Sequence, residues 1–259
     1  MTTEMELVAY HNDAKLKEAL VREITKHEKA DQILQGTYGG ELNGDWKGCA
    51  VACSLRSLAI INKEKLVERY SNHALYTDLF GKGGETIGRL EDCLFEGMTK
   101  KDAKTFPRKF AEAIPVGADL SFVPAKFMVF ILKDTLKHKG VRDNKEVVKV
   151  VKDVVKLWQD VIEGKYVGKD KDLASAARSA ESAAWSAARS AWSAAWSAAW
   201  SAAWSAESAA RSAESAASAA SAESAESAAW SAARSAWSAV FKRFADYLLE
   251  RLKTSPKAK

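Results

Sequence analysis

Proline and cysteine are scarce in this chain, at four and three residues among 259. An odd number of thiols, with no secretory leader pattern, argues against a disulfide framework and toward a reducing cytoplasm. Long apolar runs are missing too: the longest, Phe127 to Leu132, falls far below the roughly 20 residues that cross a bilayer. There is no dense basic block. The net charge is +5, yet Leu173 to Ala239 carries four Arg and five Glu. The excess is scattered lysine elsewhere, a solvating surface that argues against specific DNA or RNA binding. Neither glycine nor proline occurs between Gly168 and Pro256, which removes the usual residues of a tight turn.

What that stretch holds instead is alanine and serine. From Leu173 to Val240 the chain repeats Ser-Ala plus one or two residues, with 19 serines whose 18 intervals of three or four sum to 63, a mean of 3.5. Such spacings share one helical face, whereas a strand demands twos. The residue before most serines forms its own lane: Trp185, Arg189, Trp192, Trp196, Trp200 and Trp204, then Glu207, Arg211 and Glu214, and later Trp230, Arg234 and Trp237. Serine is a poorer helix former than alanine by a few tenths of a kcal/mol, so these serines together cost roughly 5–8 kcal/mol. A tryptophan can bury ~150–250 Å², several kcal/mol at ~25 cal/mol/Å². The tract is therefore expected to be held by burial of Trp185, Trp196, Trp200, Trp204 and Trp230 at an interface, since an uncovered strip of that size is a liability.

An unbroken helix from Leu173 to Leu252 would run ~120 Å, more than a domain of about 165 residues with a radius of gyration of about 15 Å can cover. The repeat is expected to fold back or to oligomerise, with a reversal near Ser215 to Ser221, where the serines advance in threes and aromatics are absent. Glu181 to Ala194 recurs unchanged as Glu226 to Ala239, which suits two arms making equivalent contacts. Facing arms would bring Arg189, Trp192, Arg234 and Trp237 together. Indole faces and guanidinium groups stack on bases and pair with phosphate, so a small nucleotide is a candidate ligand.

The first 170 residues read as helical. Asn12 can cap a helix whose Leu16, Leu20 and Ile24 step by four, with His27 on the same stripe and Gly36 ending it. Gly36 to Gly48 contains Asn43-Gly44 and predicts a small hairpin or structured loop. Further helices are expected over Cys49 to Ile61, Lys63 to Leu75, Thr86 to Gly97, Pro107 to Ala113 and Pro124 to Lys137, two of them opened by proline. In Lys145 to Glu163, Val147, Val151, Val154, Trp158 and Val161 alternate fours and threes while Lys145, Lys149, Lys152 and Lys156 take the other side, so period overrides the strand preference of valine.

Four blocks, Tyr10-His11-Asn12-Asp13, Gly48 to Cys53, Arg89-Leu90-Glu91-Asp92 and Glu112 to Ser121, resemble a family of bacterial and phage proteins that join such an amino-terminal domain to an alanine-rich, aromatic-punctuated tail. The resemblance spans the chain. It implies a shared fold and a mobile-element setting, and brings no catalytic residues with it. The tail departs from the family's alanine, tyrosine and aspartate mixtures, since here Trp and Ser dominate.

Among reactive groups, Cys49 follows a glycine-containing loop at an expected helix start, where backbone N–H groups and the helix dipole favour a thiolate. The Gly48-Cys49 entry is similar to the nucleophile region of papain-like peptidases, and His27 is the nearest partner on a buried-facing stripe. Equally, free cysteines are commonly small core residues and such a histidine a satisfied core group. Cys49 and Cys53 supply two ligands without a second pair, so no metal is expected. Gly81 to Thr86 is glycine-rich but lacks the spacing of a phosphate loop, and no cofactor is implied.

These features predict a mostly helical protein with a globular domain over 1–164, a joint over 165–172, a helical repeat over 173–252 and a disordered basic tail over 253–259. The expected function is a non-enzymatic interaction protein of a phage or mobile element, acting in the cytoplasm through self-association or a protein partner, without membrane insertion. The alternatives are anti-defence sequestration of a host signalling nucleotide, and a hydrolase using Cys49.

Overall fold

The computed structural model describes residues 7–36, 40–42, 45–48, 73–137, 139–165 and 220–258. These are mostly helical, as the periodicity predicts. The expected helices over 49–61 and 63–75 and the repeat up to residue 219 lie outside the described residues, apart from a 3-10 turn at Ala74–Tyr76. The chain divides into two compact units, Met1–Pro124 with Val240–Lys259, and Ala125–Ala239. This division differs from the expected boundary at 164–173, and the carboxy-terminal segment belongs with the amino-terminal unit.

In that unit, α1 spans Ala14–Lys29. Its cap is Asp13 rather than Asn12: the Asp13 carboxylate accepts from the backbone N–H of Lys15 at 2.8 Å and Leu16 at 3.3 Å. Asn12 has φ 60°, whereas a capping residue takes extended backbone, and Asp13 at φ −102°, ψ 109° does so. Leu20 and Ile24 are buried as the stripe predicts, and the helix stops well before Gly36. The hairpin appears as β1, Gly40–Leu42, paired antiparallel with β2, Asp45–Lys47.

Two helices and a short turn follow the 3-10 segment: α2, Thr77–Phe80, then α3, Gly84–Gly97, then α4, Lys100–Ala113. Helix α4 starts seven residues before Pro107, which sits inside it. The start signal is Thr99, whose Oγ1 accepts from Asp102 N–H at 3.1 Å while its hydroxyl donates to Asp102 Oδ2 at 2.7 Å, an N-cap that outweighs the proline cue. Helix α1 packs along α4, and Arg108 Nε reaches Glu28 at 2.8 Å between them.

The expected disordered tail is also corrected. Helix α8, Ala220–Lys253, numbered after three helices of the second unit, buries Ala245, Leu248 and Leu252 near its end. A Cβ on Gly97 would fall 2.1 Å from the Phe241 ring, so that ring lies flush on the helix backbone. Beyond Lys253 the backbone pairs as an edge strand: Asp119 N–H donates to Pro256 O at 2.8 Å and Ala258 N–H to Gly117 O at 2.9 Å. On the other edge of the same segment, Ala9 N–H donates to Ala118 O at 2.9 Å and Leu120 N–H to Leu7 O at 3.0 Å. Residues 117–119 are hydrogen-bonded on both sides, and backbone pairing orders a tail whose composition reads as solvated.

The second unit contains most of α5, Val123–Thr135, with α6, Lys139–Arg142, and α7, Lys145–Ile162. Asn144 Oδ1 caps α7 by accepting from Val147 N–H at 3.2 Å. Leu132, Val151 and Val155 are buried together, with Val129, Leu136, Val154 and Trp158 around them. Among the described residues no helix is long and apolar enough to cross a membrane.

Candidate functional site

The polar features of the amino-terminal unit concentrate around one aromatic row. Tyr10, His11 and Asn12 have φ of 56°, 49° and 60°, three successive non-glycine residues in the left-handed region, each costing of order 1–2 kcal/mol. Their side chains hold the turn. Tyr10 is buried, donates from its hydroxyl to Ala111 O at 2.7 Å and meets Phe80 edge-on with centroids 5.5 Å apart. His11 Nε2 lies 3.0 Å from Asp78 O, so that nitrogen carries the proton and donates. Asn12 occupies the space beside Gly117, where a Cβ would meet its Oδ1 at 2.4 Å. Lys17, one turn into α1, donates to the carbonyls of Glu112 at 2.9 Å and Ile114 at 2.6 Å at the end of α4, where cations suit unpaired carbonyls. The blocks Tyr10–Asp13 and Glu112–Ser121, about a hundred residues apart, are one structural feature.

The row continues from Phe80 to Tyr76, 6.2 Å between centroids, and on to His73 at 6.4 Å. Tyr76 lies in a trough of α3. A Cβ on Gly84 would come within 2.4 Å of Tyr76 O, and one on Gly88 within 2.3 Å of its ring. Gly84, Gly88 and Glu91 fall on one helical face, so the ring slides along the glycines and its hydroxyl donates to Glu91 Oε2 at 2.7 Å. Glu91 is fully buried and its Oε1 has no partner. Burial pushes its carboxyl up to about 8; the Tyr76 hydrogen bond opposes this, and the nearby Asp92 and Glu96 charges add to it. One residue on, Asp92 Oδ2 lies 3.2 Å from His73 Nε2. His73 itself is left-handed at φ 62°.

The neutral Glu91 carboxyl and the His73 imidazole, which the Asp92 carboxylate holds, each lie beside Tyr76, and groups of these two kinds are the ones that proton transfer uses. Sequence reasoning passed over both groups. Of the glycines that seat Tyr76, Gly84 stands in the glycine-rich stretch Gly81–Thr86 and Gly88 in the helix expected over Thr86 to Gly97. The spacing of Gly84, Gly88 and Glu91 was the available signal.

His27 Nδ1 is 2.7 Å from Gln32 Oε1, and its Nε2 is buried without a partner. Cys49 and Cys53 lie outside the described residues, and Cys93 is an exposed free thiol. Trp185, Arg189, Trp192, Trp196, Trp200 and Trp204 are likewise outside. Trp230, Arg234 and Trp237 are placed along α8 by backbone alone. Among the described residues no group of three or more His, Cys, Asp or Glu could hold a metal ion. Comparison with protein-family models, with curated proteins and with solved structures found no match.

Proposed function

We propose that this is a non-enzymatic interaction protein of a phage or other mobile element, acting in the host cytoplasm, whose Trp-bearing helical repeat packs on itself and on a partner. One observation carries the reading. Ala220–Lys253 is a single helix, so the second copy of the repeated block, Glu226 to Ala239, runs without interruption into a segment whose Ala245, Leu248 and Leu252 are buried. A serine-rich helix of this length needs tertiary contacts to stay formed, and the lane that offers them is the tryptophans. Replacing Trp196 and Trp200 together by alanine should lower thermal stability or change the mass measured by sedimentation. If both are unaltered, the interaction reading fails.

A cysteine-dependent hydrolase is the second reading, favoured by the His73–Asp92 pair, which supplies the oriented imidazole that such chemistry requires. It moves the base from His27 to His73. Iodoacetamide at pH 7 should then label Cys49 ahead of Cys53 and Cys93, and less so after His73→Ala. Equal labelling of the three thiols removes the reading.

A further inference from the structure

Glu91 occupies a place that suits a carboxylic acid and not a carboxylate. Its side chain is fully buried, one oxygen takes the Tyr76 hydroxyl at 2.7 Å, and the other has no partner. A buried carboxylate needs a cation or several hydrogen bonds, whereas the protonated group is neutral and needs neither. Among the described residues the groups that act on its charge are Tyr76, from the turn before α2, and Asp92 and Glu96, from its own helix. None of these is a cation, and no group of α2 or α4, the helices packed beside α3, is among them. Once the proton leaves, the charge is stabilised only by reaching water.

The elements around Glu91 differ in how easily they yield. Helices α3 and α4 run 14 residues each. The segment that lays Tyr76 over Glu91 is the 3-10 turn Ala74–Tyr76, entered through left-handed His73 at φ 62° and bonded from Tyr76 N–H to His73 O at 3.1 Å. Short elements with strained backbone open before long helices do. The turn meets α3 at two successive residues, Tyr76 on Glu91 and His73 on Asp92 at 3.2 Å. With three residues between Tyr76 and His73, a turn that lifts one off the helix lifts the other.

We propose that Glu91 is a proton-operated latch: with its proton it keeps the turn of His73 to Tyr76 seated on α3 and His73 against Asp92, and on losing the proton it opens that turn and parts the pair. The latch goes beyond both readings above, neither of which uses Glu91. Burial raises the seated carboxyl to about 8 from 4.5, so the opened turn releases a proton that the seated one holds. Opening therefore becomes easier as pH rises from 4.5 to about 8 and levels off above. The test is residue-resolved amide exchange in the full chain from pH 5 to 8.5, each rate divided by that of the unfolded chain at the same pH. Protection at Tyr76 N–H should fall roughly a hundredfold between pH 5 and 7.5. It should also stay below that of Ile24, which is buried in α1 of the same unit. In Glu91→Gln the protection at Tyr76 should be flat across the range. In Tyr76→Phe, which lacks the hydrogen bond that favours the charged carboxylate, the fall should extend to higher pH. At pH 8 diethyl pyrocarbonate should modify His73 faster in the parent than in Glu91→Gln, while the exposed His11 reacts alike in both. A fall that persists in Glu91→Gln, or equal modification of His73 in the two proteins, would overturn the latch. So would equal protection of Tyr76 and Ile24 throughout, because the whole unit would then be opening. Should Glu91→Gln fail to fold, an exchange profile unchanged by Tyr76→Phe overturns it.

Discussion

Glu91→Gln should make this protein more stable at neutral pH, and by an amount that depends on pH in a defined way. The carboxyl is fully buried, accepts one hydrogen bond from Tyr76 at 2.7 Å and leaves its other oxygen unpartnered. Its folded value is raised to about 8 from an ordinary 4.5. A raised folded value means that the native state holds a proton which the unfolded chain releases. The contribution to stability is therefore fully present below pH 4.5 and is lost progressively as pH rises to about 8. At about 1.36 kcal/mol per unit, the loss is about 3 kcal/mol by pH 7 and nears 5 kcal/mol above pH 8. Glutamine keeps an acceptor for the Tyr76 hydroxyl and binds no proton, so it removes this slope. Urea denaturation of both proteins at intervals from pH 4.5 to 8.5 gives the difference directly, because the other carboxylates are common to the two. The gap should be small at pH 4.5 and should favour glutamine by several kcal/mol at pH 8. A gap that stays constant over the range would refute the reasoning, whatever its sign.

Gly88→Ala gains up to about 1 kcal/mol in helix propensity, but its methyl group would sit 2.3 Å from the Tyr76 ring. A net destabilisation of roughly 1–3 kcal/mol is expected by chemical denaturation, with loss of near-ultraviolet tyrosine dichroism. Deleting residues 255–259 removes the hydrogen bonds from Asp119 N–H and Ala258 N–H across the edge of residues 117–119. It should cost about 1–3 kcal/mol and speed amide exchange at Asp119, whereas a solvated tail would leave both unchanged.

Much of the helical content was legible because it rests on local rules. In Lys145–Ile162 an apolar stripe of Val147, Val151, Val154, Trp158 and Val161 stands opposite the lysines, and only a helix separates them. Leu20 and Ile24 went inside for the same reason. The boundaries were less legible where two local signals compete. Pro107 reads as a helix start, yet the Thr99 cap takes up the Asp102 N–H two turns earlier, and the proline is carried in the helix. Asn12 and Asp13 are both good caps by type. The choice between them was made by the buried Tyr10 ring and by Gly117, which together force the preceding residues into left-handed backbone.

The candidate site was legible only as separate words. Arg89 to Asp92 shows three charged residues on a helix and gives no sign that one of them is buried and protonated. That outcome needs the trough of Gly84 and Gly88, the Tyr76 ring laid along it and the absence of water, all of which are assembled from different segments. The His73–Asp92 pair joins residues 19 positions apart, and no spacing rule predicts it.

Periodicity, capping residues and the lack of glycine and proline between Gly168 and Pro256 determined by themselves that the described residues are mostly helical, Ala220–Lys253 among them. They act within one or two turns, where sequence distance is spatial distance. The tertiary structure alone decided that the carboxy terminus returns to pair with residues 117–119 and that Glu91 holds its proton. Each of these depends on which distant segments exclude water from a given atom, and desolvation is a property of the assembled fold.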